Sequence, residues 1–152
     1  MTELKDQTIL NIFGEEEFRT IHRSGKMVEN YFVSKSGDVY SGKTKKLRKQ
    51  SKRGNPNNYG NVYNNVPIRD FDGTILNCSI HRAVMETWKP IDEYPPDQLK
   101  DDWDKAPESF KQWVRDSAFV DHIDGDKENN HVNNLRWVTP RQNNFYVKSN
   151  GT

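Results

Sequence analysis

The sequence predicts an α+β fold: antiparallel β-hairpins in the first half, short connecting helices, and a strand–loop–strand–helix unit at the C-terminal end. Three observations carry this prediction. Apolar residues at 31–33 and 39–40 flank a polar turn run at 34–38, and a second such arrangement over 67–79 turns at Asp72-Gly73. The stretches 80–88, 96–103 and 107–118 follow a serine or open on a proline, both residues that begin helices. Residues 119–122 and 135–138 are two short strand candidates around a polar loop, and Thr139-Pro140 after them is a helix start.

In chain order, residues 1–28 read as an N-terminal arm. Within it Ile9, Leu10, Ile12 and Phe13 suit one apolar turn, and residues 15–21 suit a short helix after Gly14. Residues 29–79 form the β-rich region, with further strand candidates at 46–49 and 61–65. Residues 51–60, rich in Gly, Pro and Asn, read as a mobile loop between strands. Residues 80–118 are a helical connector. Its first helix, 80–88, is capped by Ser79 and ended by Pro90, with Ile80, Val84 and Trp88 on one face and Ala83 beside them. His81 points elsewhere on that helix and reads as a surface or satisfied histidine rather than a ligand. Trp103, Phe110, Trp113 and Val114 are expected to pack the next two helices down. Residues 119–152 form the last unit.

Composition sets limits. The 152 residues fit one domain or a small domain with an appendage, and a mean hydropathy of −1.05 with 32% hydrophobic residues implies small cores. Four Trp, six Tyr and seven Phe nevertheless supply large buried area. Cys78 is the only cysteine, so neither an internal disulfide nor a cysteine-based zinc site can form, and it reads as a small buried hydrophobe. No apolar run reaches membrane-spanning length. The expectation is a cytoplasmic protein with no membrane partner, a monomer or weak dimer.

The net charge of +1 hides an asymmetry. Lys35, Lys43, Lys45, Lys46, Arg48, Lys49, Lys52 and Arg53 face a single acid, Asp38, within residues 35–53. Residues 92–104 carry six acids against Lys100. Basic residues from Lys43 to Arg53 suit either a charged edge that blocks strand aggregation or contact with a duplex backbone. The acidic run suits a solvated face, or a surface for a protein partner or for self-inhibition.

Residues 120–146 read VDHIDGDKENNHVNNLRWVTPRQNNFY. Asp121 and His122 close the first strand, and Asn143 lies in the first turns of the helix. A carboxylate and a carboxamide oxygen are hard ligands suited to Mg²⁺ or Mn²⁺ rather than zinc. An unliganded imidazole titrates near neutrality and can take a proton from water. Metal and base together suit phosphodiester hydrolysis, with the metal stabilising charge on the phosphate. Trp137 reads as core beneath this unit. His131 reads as a loop residue, solvated or touching phosphate, and Arg136 and Arg141 as solvated or phosphate-reaching arginines. Tyr40, Tyr59 and Tyr63 read as packing groups.

The same stretch resembles the HNH nuclease motif, the ββα-metal finger of phage homing and free-standing endonucleases. The resemblance implies Asp121 as metal ligand, His122 as general base and Asn143 as second ligand of one Mg²⁺ or Mn²⁺. It also implies that Asn134 braces the loop and orients the histidine. Gln142 stands where the family more often has Glu. Upstream, NYFVSKSGDVYSGKTKKLRKQ is similar to the DNA-binding segment that often precedes such motifs, and IHRAVMETWKP to the helix between the two. What this implies is a metal-dependent endonuclease acting on double-stranded DNA, in the host cytoplasm if phage-encoded. Two other classes compete with it: a DNA-binding regulator with a non-catalytic finger, and a protein-interaction module working through residues 92–104.

Overall fold

The computed structural model describes residues 8–10, 16–53, 63–69 and 72–140. The architecture is α+β with antiparallel sheets, as the sequence predicts. Strands β1 (Thr8–Leu10), β2 (Glu17–Arg23), β3 (Lys26–Ser34), β4 (Val39–Ser41) and β5 (Lys46–Leu47) follow one another in a five-stranded sheet. Strands β6 (Ser51–Arg53), β7 (Tyr63–Arg69) and β8 (Ile75–Ser79) form a three-stranded sheet. Helix α1 (Ile80–Trp88) follows, then 3₁₀ turns at Asp97–Leu99 and Trp103–Lys105 and helix α2 (Glu108–Ser117). A two-stranded sheet of β9 (Phe119–His122) and β10 (Leu135–Val138) completes the described strands, and the helix expected after Thr139-Pro140 lies outside the described residues.

Several expectations change here. Residues 17–21 are strand rather than helix: Phe18, Thr20 and Ile21 are buried, and a register shift between Thr20 and His22 lets both Thr20 and Ile21 turn inward. The β2–β3 hairpin also runs across the arm boundary drawn at residue 28. Ser51–Arg53 is a strand paired with Asn65–Tyr63, so the expected loop begins later; residues 54–60 lie outside the described residues. Pro67, which lacks a donor, fits β7 because β6 stops short of it. The stretch 96–103 makes 3₁₀ turns, and Ser79 caps nothing with its side chain: its hydroxyl points to Asn65 Oδ1, 3.4 Å. Phe110 and Trp113 are exposed, whereas Trp103 and Val114 are buried. Cys78 is buried as expected, and all six acids of the 92–104 run are exposed.

Helix α1 is the hub. It touches β2 and β3 of the first sheet, β7 and β8 of the second, and β9 and β10 of the third. Ile80, Ala83, Val84, Met85 and Thr87 are all buried, so apolar surface is covered on several sides rather than on one stripe. Ile21, Val28, Val33, Val66, Ile68, Val120, Leu135 and Trp137 join this helix in one continuous core. Two indole donors lock the seams: Trp88 Nε1 donates to Val33 O at 3.1 Å, and Trp137 Nε1 to Lys89 O at 2.8 Å. The basic first half and the C-terminal unit are therefore packed against a shared helix. No helix among the described residues is long and apolar enough to cross a membrane.

Candidate active site

Strands β9 and β10 pair in antiparallel register, with Leu135 opposite His122 and Arg136 opposite Asp121. Successive strand residues point to opposite faces, which separates the two neighbouring side chains. His122 goes inward and is buried, while Asp121 stays partly exposed. The Asp121 carboxylate accepts one described hydrogen bond, from Arg136 Nε to Oδ2 at 2.9 Å. Arg136 is thus an ion-pair partner of Asp121 rather than a side chain free for phosphate.

His122 makes one described hydrogen bond, between Nε2 and Asn130 Oδ1 at 2.7 Å. A carboxamide oxygen only accepts, so this contact places the ring proton on Nε2 and leaves the Nδ1 lone pair available. Asn130 is itself buried, and the hairpin turn between β3 and β4 lies against it. A Cβ built on Gly37 would stand 3.1 Å from Asn130 Cβ and 3.1 Å from Ile80 Cγ2, and Gly37 has φ +93°. Only glycine fits that approach without strain. Next to it, Val132 N donates to Lys35 O at 2.7 Å, tying the loop to the same turn.

Asn134 holds the loop and makes no described hydrogen bond to the histidine. Its Nδ2 donates to Asp124 Oδ1 and to Asn129 O, each at 2.9 Å, and its Oδ1 accepts from Asp124 N at 3.1 Å. Asn129 Nδ2 donates to Asp124 Oδ2 at 2.9 Å, and Asp126 N to Asp124 Oδ1 at 2.8 Å. The Asn129 amide, then the Asp126 backbone and the Asn134 amide, hold the Asp124 carboxyl below its ordinary range. Bracing by Asn134 is present as expected; orientation of the ring passes to Asn130. His131 is half-buried and accepts from Asn133 N through Nδ1 at 3.1 Å, capping the 3₁₀ turn Val132–Asn134. Trp137 is buried as expected.

Two further aromatic groups reach His122. The ring of His81 lies 5.2 Å from it, and that of Tyr63 lies 6.1 Å away with 19° between the planes. His81 and Tyr63 stack on each other at 4.7 Å. His81 is therefore not a surface histidine. Burial first, then the neighbouring His122, Arg82 and Lys127, push its imidazole down to about 3. Burial and the Asp121 charge push the Tyr63 phenol up, so it stays protonated. The helical spacing of 80–88 hid His81 because it marks one buried face, and α1 has more than one.

The basic residues divide. Lys43, Lys45, Lys46 and Lys49 are exposed around β5. Arg48 is half-buried and bridges the sheets, its Nη2 donating to Pro67 O at 3.4 Å. Lys52 on β6 pairs with Glu128 of the β9–β10 loop, so the second sheet meets the C-terminal unit there. The side chain of Arg53, together with Arg141 and Asn143, lies outside the described residues.

Among the described residues no group of three His, Cys, Asp or Glu side chains could hold a metal. What is present toward a hard divalent cation is the Asp121 carboxylate, partly exposed, with Oδ1 bearing no described hydrogen bond. That donor fits Mg²⁺ or Mn²⁺ with few protein ligands and much water.

Comparison with known proteins places this geometry. An HNH endonuclease family profile matches residues 114–145, from the end of α2 through both strands of the site. Two proteins of Acanthamoeba polyphaga mimivirus, the uncharacterized HNH endonucleases L245 and L247, are 28% and 34% identical over 133 and 115 residues. These matches cover 85% and 76% of this chain, which in turn spans only 31% and 22% of those two relatives. The HNH homing endonuclease I-HmuI, in a structure of its DNA binding and cleavage, superposes with a TM-score of 0.54 and 27% identity, covering 82% of this chain and 55% of that one. The strand–loop–strand unit thus matches the HNH endonuclease family, and the chain is similar to HNH endonucleases over most of its length.

Proposed function

We propose that the chain hydrolyses phosphodiester bonds of double-stranded DNA, nicking or cutting it with the help of one Mg²⁺ or Mn²⁺. The observation that carries this reading is the 2.7 Å contact of His122 Nε2 with Asn130 Oδ1, in a buried site one residue from a partly exposed carboxylate. Nδ1 of His122 takes the proton of the attacking water, and Asn130 stabilises the imidazolium that forms. Asp121, with Asn143 as the second ligand, would hold the cation. That ion, when bound, supplies charge stabilisation for the phosphate and the leaving oxygen. Exposed Lys43, Lys45, Lys46 and Lys49 are the groups for duplex phosphates, with Lys52 released from Glu128 as a further one.

A second reading has one observation in its favour. Arg136 already neutralises Asp121, which suits a finger that binds DNA without metal or catalysis. Incubating supercoiled plasmid with the protein and Mn²⁺ or Mg²⁺, with and without EDTA, separates the two. Conversion to open circle that EDTA abolishes supports the enzyme. Salt-sensitive DNA binding with neither nicking nor Mn²⁺ binding by titration calorimetry supports the non-catalytic finger.

A further inference from the structure

We infer that His81 and Tyr63 are positioning residues for His122: their stacked rings fix the imidazole plane so that Nδ1 meets the attacking water. This rests on the reading of His122 as the general base. The hydrogen bond to Asn130 fixes one ring atom, and a ring held at one atom can still swing about that bond. The second constraint comes from two other elements, α1 through His81 at 5.2 Å and β7 through Tyr63 at 6.1 Å and 19°. Each of the three rings sits on a different sheet or helix, so their contact also joins the second sheet to the C-terminal unit.

The wall is built to carry no charge. His81 sits near 3, so it is a neutral ring through the working range and does not compete with His122 for the proton. Tyr63 keeps its proton because of burial and the Asp121 charge, so it sets no anion against the incoming phosphate. His81 Nδ1 is buried without a hydrogen-bond partner, so the nitrogen adds nothing to the fold that a carbon would not. What His81 presents to His122 and Tyr63 is its ring.

The test compares His81→Ala, His81→Phe and Tyr63→Ala in the full chain. Nicking rates are taken at saturating plasmid with Mn²⁺, DNA affinity in EDTA, and the His122 ring is followed by the ¹H–¹³C signal of its Cε1–H. His81→Ala should lose at least about tenfold in rate with affinity within about twofold, because small misplacements at a reacting centre are costly. His81→Phe should recover to within about threefold of wild type. The His122 signal should be single in wild type and His81→Phe, and broadened or split in His81→Ala. A wild-type rate in His81→Ala with an intact melting transition overturns the inference, as does an equal loss in His81→Phe. Should His81→Ala fail to fold, Tyr63→Ala takes its place, and a wild-type rate there has the same force. If the wild type does not nick at all, the nuclease reading fails; the His122 signal then decides the positioning alone, and an unchanged signal in His81→Ala sinks it.

Discussion

A neutral histidine has one nitrogen that donates and one that accepts, and Asn130 decides which is which for His122. That assignment was not legible in the sequence. Four asparagines lie within residues 129–134, and spacing alone cannot say which one is buried against the ring; the choice depends on how the Gly37 turn presses on the loop. Asp121 and His122 were legible because their neighbours in sequence form the strand that presents them. His81 was not, because its partners Tyr63 and His122 come from strands 18 and 41 residues away in the chain. Its depressed pKa makes a pH prediction. The folded state keeps His81 neutral down to about 3, while the unfolded chain protonates it at its ordinary 6.5, so its contribution is complete above pH 6.5 and is lost as pH falls toward 3. In that window it should steepen acid destabilisation by up to about 1.4 kcal/mol per pH unit. The Glu86 carboxyl, raised by burial, works in the opposite sense above its ordinary 4.5. Melting curves of wild type and His81→Phe between pH 7 and 4 isolate the His81 part: the variant should lose less stability on acidification, and parallel curves would contradict the assignment.

At the level of elements, the loop between β9 and β10 is shaped by Asp124, Asn129 and Asn134 and seated by the β3–β4 turn. Both hairpins and both strands of the finger follow from alternating apolar residues around turn signals, so their places were readable. The strands at 17–23 and 51–53 were not. The first contains a bulge that breaks its period, and the second is a polar edge segment whose strand character comes only from pairing with Asn65–Tyr63. The helical connector was half readable, since Phe110 and Trp113 look like core residues yet face solvent. Gly37→Ala tests the seating. A left-handed φ and a 3.1 Å approach to Asn130 and Ile80 should together cost about 1–3 kcal/mol of stability. Because the displaced neighbour is Asn130, the nicking rate of the folded fraction should fall as well. A variant with unchanged melting and rate would show that the turn does not support the site.

For the whole molecule, the arrangement around α1 explains how a chain of low hydropathy holds its two halves together. One helix serves the three described sheets, so the basic strands and the finger share a core instead of needing two. Sequence revealed the charge asymmetry but not its division: Arg48 bridges sheets, Arg136 holds Asp121, and Lys43, Lys45, Lys46 and Lys49 are exposed. Replacing Lys45, Lys46 and Lys49 with Gln should weaken DNA binding and lower the slope of log K against log salt by up to about 3, the value for three lost phosphate contacts. An unchanged slope would move the DNA to another face.

The central claim is that His122, set by Asn130, is the base of a DNA-cutting site. It is tested most directly by the single-turnover nicking rate of His122→Ala against wild type, both saturated with supercoiled plasmid in Mn²⁺. The account predicts a loss of about 10²–10⁴-fold, the usual worth of a general base, with DNA affinity unchanged. Equal rates for the two proteins would contradict it.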